Sequence, residues 1–151
     1  MGYLGRMQHR FKMKRVGLFL GVHPHAGGMF QYAQSILDGL HSLPREDYEV
    51  LVAYVGQDWR QVLSDYSFRS SQVLGGKLGL LLANAFLAVS APAGFVSAVS
   101  ILLSPISRHL RKLACDICIF PAKDAVGYQM GVPALVTIHD LMHRYEPHFP
   151  E

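Results

Sequence analysis

The chain has 151 residues and a formal net charge of +3; half of its residues are hydrophobic and 17% are charged. This length allows one α/β domain with a sizeable core but not two, and the charged fraction is below the roughly 25% of a typical soluble domain. Two cysteines cannot build a disulfide framework, which excludes the small disulfide-stabilised secreted classes.

Residues 1–14 form a basic N-terminal arm, since the first acidic residue of the chain is Asp38. Such an arm can rest on an anionic membrane or on nucleic acid, or it can be a solvated tail. The apolar run that follows, Val16 to Val22, is short and is interrupted by His23-Pro24-His25. It is therefore a poor match to a secretory signal, and we expect a cytoplasmic protein.

The next residues predict a strand, a loop, a helix and a second strand. The first strand covers 15–22 and runs into a loop with proline and glycine punctuation at 23–28. A helix is expected over 29–42, because Phe30, Ala33, Leu37 and Leu40 recur at helical spacing, and a second strand is expected over 48–55. This βαβ unit predicts an α/β fold with a Rossmann-like parallel sheet and flanking helices.

The middle of the chain changes in character. Residues 56–72 are expected to be loop with a short helix around 59–63, and no charged residue occurs from Leu78 to Ser107. Such a run exceeds the length of a bilayer-crossing helix, but Pro92 and Pro105 interrupt it. We expect an apolar helical segment over 73–107, either a hairpin packed on the domain or a peripheral contact with one leaflet, with a true membrane span as the third possibility.

The last third returns to α/β order. Strands are expected over 116–120 and 134–138 with a short helix over 125–130 between them, and His139-Asp140 follows the second strand. Cys115 and Cys118 are expected to be two small core residues. Both are expected at the start of the strand, where residues three apart point to opposite faces, so that they could not jointly hold a metal or close easily into a disulfide.

Two strand-end motifs are candidate binding sites. Gly27-Gly28, between a strand and a helix, would let backbone N–H groups approach an anion, although a plain tight turn explains the glycines equally well. His139 and Asp140 should open on the same sheet edge, as should His25, because ligands bind at the carboxyl ends of parallel strands. A histidine that caps the next helix is the structural alternative for His139.

A metal site is the competing chemistry. His139 and His143 are spaced for one helical face, and with His23, His25 and Asp140 they could form a hydrolytic centre. However, the zinc-protease motif has glutamate where Asp140 stands. A metal-dependent hydrolase remains the alternative enzyme class.

Two segments carry a family resemblance. The first is His25-Ala-Gly-Gly-Met-Phe-Gln-Tyr-Ala33; the second is Ile119-Phe-Pro-Ala122 followed by Gly131-Val-Pro-Ala-Leu-Val-Thr-Ile-His-Asp-Leu-Met-His-Arg-Tyr-Glu-Pro-His-Phe-Pro150. Together they resemble the N-terminal domain of family 4 glycosyltransferases of the two-domain GT-B fold. The matched segments cover about a third of the chain, and the stretch from Val136 to Pro150 is the more specific.

The resemblance implies a retaining transfer of a sugar from a nucleotide-diphospho-sugar to the hydroxyl of a sugar or lipid-linked acceptor, with no metal or other cofactor. Gly27 and Gly28 would face the donor phosphates, His139 would contact the transferred sugar or the acceptor, and Asp140 would orient that loop or bind an acceptor hydroxyl. His25 would lie beside them. Such enzymes act in cell-surface glycan or glycolipid synthesis, often on the inner membrane face, which suits an anionic lipid partner and no nucleic acid.

One departure from the family is large. Nothing in the sequence matches the C-terminal donor domain or its paired-glutamate motif, so the sequence predicts the acceptor half without the donor half. Because positioning both substrates provides much of the rate, we expect little transfer unless a donor-binding domain is supplied in cis or in trans. A non-catalytic, membrane-associated binding subunit is the non-enzymatic alternative.

Overall fold

The computed structural model describes residues 13–23, 27–73, 81, 85, 89–90, 92–122, 126–127 and 130–138. Strands and helices alternate through most of this part of the chain. In order they are β1 (Lys14–Leu20), α1 (Gly28–His41), β2 (Tyr48–Tyr54), α2 (Asp58–Leu63), β3 (Arg69–Gln72), α3 (Ala93–Leu103), α4 (Pro105–Lys112), β4 (Ile117–Phe120) and β5 (Ala134–Val136).

The strands form one five-stranded sheet in the order β3-β2-β1-β4-β5. Every neighbouring pair is parallel, as expected when each return to the sheet is made by a crossover connection. The prediction of an α/β fold with a Rossmann-like parallel sheet and flanking helices is confirmed. β1 lies in the middle, paired with β2 along its whole length and with β4 from Val16 to Leu18.

Two buried clusters cover the two faces of this sheet. The first is here called the α1-side cluster. Its described buried residues come from the first half of the chain; they are Val16, Leu18, Leu20, Ala33, Leu37, Leu40, Val52, Tyr54, Trp59 and Leu63. The second, the α4-side cluster, joins residues from both halves of the chain; it contains Phe19, Leu51, Ala53, Val73, Ile106, Leu110, Cys115, Cys118, Phe120, Val126 and Met130. Alternation along β1 and β2 divides their side chains between the clusters.

Helix α1 confirms the predicted apolar face, since Ala33, Leu37 and Leu40 are its buried residues. It begins one residue earlier than predicted, at Gly28, and also ends one residue earlier, at His41. Strands β1 and β5 are shorter at their carboxyl ends than predicted, ending at Leu20 and Val136.

Strand β3 was predicted to be loop, and that prediction is wrong. Its sequence, Arg-Ser-Ser-Gln, has no apolar residue, and of its four residues only Ser71 is half-buried. The strand forms because β2 offers a free edge, with which Arg69 to Gln72 pair in register. Edge strands need no apolar alternation on their exposed side, so the pattern used to find strands was missing here.

The uncharged segment is described mainly in its second half. Helix α3 follows Pro92 and ends before Pro105, which is the first residue of α4. Proline suits a first helical turn but not a helix interior, so the second half of the expected helical segment is divided at Pro105. The first arm of the expected hairpin lies mostly outside the described residues. Within the described part of the chain, no helix is both long enough and apolar enough to cross a bilayer.

The two cysteines are buried, as predicted, but they do not point to opposite faces. Cys115 lies before β4, after a turn in which Ala114 has a φ of 49°. Both sulfurs approach Gly17: a Cβ atom placed on that glycine would lie 2.8 Å from Cys118 Sγ and 2.9 Å from Cys115 Sγ. Strand alternation does not apply to Cys115, because it is not part of the strand.

Candidate functional site

The strand order reverses its direction of growth at β1 and β4. The connection after β1 leads towards β2 and β3, whereas β4 and β5 lie on the other side of β1. In open parallel sheets, ligands bind where the strand order reverses in this way. The candidate site is therefore the edge formed by the ends of β1, β4 and β5 and by the start of α1.

The glycine loop forms the start of α1. Gly27 immediately precedes the helix with a φ of 58°, a conformation that favours glycine, and Gly28 is the first helical residue. Both are exposed, and no described atom lies within 4 Å of a Cβ placed on either. Among the described residues, no side chain caps the helix and its first turn holds no acid. Backbone N–H groups and the helix dipole are thus available to an anion.

Trp59 fixes the exit of β1. Its indole Nε1–H donates a 2.6 Å hydrogen bond to the carbonyl oxygen of Val22, and its side chain is fully buried. Its ring also packs on Phe30 in the first turn of α1, with the centroids 4.7 Å apart. One aromatic residue from α2 therefore contacts both the residues after β1 and the first turn of α1. No role in the site was predicted for this tryptophan, although it is the only one in the chain.

Helix α1 also contacts the end of β5. Tyr32 Oη and Thr137 Oγ1 are 3.4 Å apart, and the Thr137 N–H donates to the Phe120 carbonyl oxygen at 3.0 Å. The second turn of α1 thus lies beside the residues that follow β4 and β5. Thr137 is two positions before His139, so the structure brings the chain segment leading to His139 next to α1. Neither Tyr32 nor Thr137 was predicted to be a site residue.

The structure describes some of the predicted site residues and not others. Gly27 and Gly28 lie at the carboxyl edge of the sheet, and His23 is exposed at the exit of β1. His25, His139, Asp140 and His143 lie outside the described residues. Within the ranges that the structure describes, no three histidine, cysteine or acidic residues are grouped as metal ligands.

The opposite, amino edge of the sheet also has depressions. One of about 360 Å³ is lined by His41, Arg45, Phe68 and Arg69 among others. Beside it, the Tyr66 hydroxyl donates a 2.6 Å hydrogen bond to Asp38 Oδ1. That hydrogen bond, helped by partial burial, raises the pKa of Tyr66 to about 12. Because parallel sheets bind ligands at their carboxyl ends, we assign the candidate site to the other edge.

Comparison with known proteins gives no relative for this chain: no family model, no curated protein and no solved structure matches it.

Proposed function

We propose that this chain is the acceptor-side half of a retaining glycosyltransferase similar to family 4, which transfers a sugar from a nucleotide-diphospho-sugar to an acceptor hydroxyl. The observation that carries the proposal is the meeting, at one edge of a parallel sheet, of the uncapped start of α1 and the segment that leads to His139. Gly27 and Gly28, from the first motif that resembles family 4, and Thr137, from the second, support the proposal because they lie at this edge. The sheet would then be the N-terminal half of a GT-B fold.

Each group has a chemical task in this proposal. The backbone N–H groups at Gly27 and Gly28 receive the diphosphate of the donor, whose negative charge the dipole of α1 stabilises. His139 contacts the transferred sugar or the acceptor hydroxyl, and Asp140 and His25 hold that hydroxyl or the loop. Trp59 keeps the glycine loop in place through Val22. The nucleotide of the donor requires a second domain, in the same polypeptide or in a partner.

The acceptor is proposed to be a sugar or a lipid-linked sugar at an anionic membrane on the cytoplasmic side, in cell-surface glycan or glycolipid synthesis. Apolar side chains of the uncharged segment are exposed, with Leu102 at 75% and Phe95 at 57%. Helix α4 follows directly and exposes Arg108, Arg111 and Lys112. Exposed apolar residues next to cations favour peripheral binding to anionic lipid, and a helical hairpin over 73–107 would provide that contact.

The activity test uses lysates of cells that express the gene in its native genomic context, so that a donor-binding partner encoded nearby is present. Radiolabelled nucleotide-sugars are supplied, and transfer to the membrane lipid and saccharide fractions is measured. We expect transfer from one donor, reduced about 100-fold by His139→Ala, the range seen when a group that stabilises the transition state is removed. Transfer equal to that of lysates from cells in which only this gene is deleted, with every common nucleotide-sugar, would refute the proposal.

The phosphate role of the glycine loop has its own test. Gly28→Asp places a negative charge in the first turn of α1, which is favourable for the helix but repels a diphosphate. We expect a tenfold or greater loss of transfer, on the order of 1.4 kcal/mol, without loss of helix stability. Gly28→Asn, which has nearly the same shape without the charge, and Gly39→Asp, at the other end of α1, are matched controls that should retain most of the activity. Equal losses in Gly28→Asp and Gly28→Asn would show that shape, and not charge, matters.

A further inference from the structure

The two cysteines form a paired group at the amino end of the central strands. Gly17 in β1 and Cys118 in β4 are register partners, and both cysteine sulfurs lie within 2.9 Å of the point where a Gly17 Cβ would be. The space left by the missing Gly17 side chain is therefore filled by two thiols. The turn with a positive φ at Ala114 is what returns Cys115 to this position.

The environment makes the two thiols chemically unequal. A hydrogen bond from the Cys118 thiol lowers the pKa of Cys115, and the positive charge of Arg15 acts in the same direction. Burial and the carboxylates of Asp116 and Glu49 oppose this shift without reversing it. The same hydrogen bond, together with burial, raises the pKa of Cys118. Cys115 is thus the thiol that more readily becomes the nucleophilic thiolate.

Cys115 is the more exposed of the two thiols, and its chain neighbours line a depression at the amino edge of the sheet. Cys115 is 8% exposed, whereas Cys118 is 1% exposed. The residues on either side of Cys115, Ala114 and Asp116, line a depression of about 420 Å³ together with Met13, Arg15 and Glu49. The more acidic thiol is therefore also the more accessible one.

We propose that Cys115 and Cys118 form a dithiol modification site that reacts with small organic disulfides and closes into an intrachain disulfide. This site lies at the edge of the sheet opposite the proposed transferase site and does not depend on that function. Cys115 is the attacking thiol and Cys118 the resolving thiol.

The reaction proceeds by two exchanges. The Cys115 thiolate attacks one sulfur of the reagent, so that a mixed disulfide forms, the reagent's S–S bond breaks and one thiolate leaves with the electron pair. Cys118 then gives its proton to solvent and attacks Cys115 Sγ, which expels the second reagent thiolate and joins the two cysteines. In total the two protein thiols are oxidised and the reagent disulfide is reduced to two thiols.

The test treats the native wild-type chain with oxidised mercaptoethanol, stops the reaction with acid, and alkylates the remaining thiols in denaturant. Intact-mass spectrometry should show a monomer that has lost two hydrogens and takes up no alkylating reagent. In Cys118→Ser the mixed disulfide should accumulate on Cys115, and in Cys115→Ser the remaining thiol should react at least tenfold more slowly.

A wild-type experiment covers the case in which either variant fails to fold. After a brief reaction, peptide mapping should find the first mixed disulfide on Cys115 in the native chain, and this preference should disappear in concentrated urea. Retention of both alkylatable thiols after long treatment, a first adduct on Cys118, or disulfide-linked dimers as the main product would each overturn the proposal. The pair would then serve only to fill the space beside Gly17.

Discussion

The contact between Gly17 and the two thiols makes Gly17→Ala a sensitive probe of the sheet centre. The new methyl group would lie 2.8 Å and 2.9 Å from the two sulfurs, whereas ordinary van der Waals contact is 3.4–4 Å. At least one buried cysteine would have to move by several tenths of an ångström. Overpacking of this kind costs about 1–3 kcal/mol, while the lower entropy of the unfolded alanine chain offsets about 0.4–1 kcal/mol.

We therefore expect Gly17→Ala to lower the free energy of unfolding by about 1–2 kcal/mol. At about 2–4 °C per kcal/mol for a domain of this size, Tm should fall by roughly 2–8 °C. Urea unfolding of the reduced protein, followed by circular dichroism, measures the change. The control is Gly39→Ala in α1, where no described atom lies within 4 Å of the new methyl group. It should stabilise the chain by about 0.5–1 kcal/mol.

A double-mutant cycle with Cys118→Ala tests the cause. Removing one sulfur makes room for the methyl group, so the cost of Gly17→Ala should be at least about 1 kcal/mol smaller in that background. The reasoning is refuted if Gly17→Ala is as stable as the wild type, or if its cost is the same with and without the Cys118 sulfur.

Three further substitutions test single contacts by urea unfolding. Tyr66→Phe removes the hydrogen bond to Asp38. The raised pKa of Tyr66 gives the wild type a stabilisation that is complete below pH 10 and is lost between pH 10 and about 12. Because the pair is largely exposed, the variant should lose less than about 1 kcal/mol below pH 10 and should lack the alkaline loss; an unchanged alkaline loss would contradict this. Ser107→Ala removes a buried hydroxyl that has no hydrogen-bond partner among the described residues and should stabilise α4 by about 1 kcal/mol; a destabilised variant would show that the hydroxyl has a partner. Trp59→Phe leaves the Val22 carbonyl without its 2.6 Å donor and should cost about 1–3 kcal/mol, so an unchanged stability would mean that the bond does not hold the loop.

The sequence predicted those helices and strands whose own residues show an apolar run or helical spacing. β1, α1 and β2 combine apolar runs or helical spacing with glycine and proline boundaries, and the parallel sheet follows from their order. β3 carries no such signal, because its sequence is polar and only the free edge of β2 makes it a strand.

The candidate site, too, was predictable only where its residues form a local motif. Gly27-Gly28 could be placed at the start of a helix because the motif is local. The contact between Tyr32 and Thr137 joins residues 105 positions apart, and no spacing rule contains it. The paired thiols were missed for a local reason, since the positive φ at Ala114 redirects Cys115 and alanine gives no sign of that conformation.

The unequal origin of the two clusters has a consequence for folding. The buried residues of the α1-side cluster that the structure describes all lie between 16 and 63, so most of one face of the β1–β2 pair can be covered while the rest of the chain is still being synthesised. The α4-side cluster requires β4 to reach β1 across about a hundred residues of chain, which is the slow, non-local step. Until that step is complete, the other face of β1 is open and the two sulfurs are not held beside Gly17. The arrival of the second half of the chain at β1 should therefore be visible as the moment at which Cys115 and Cys118 cease to behave as ordinary solvent-exposed thiols.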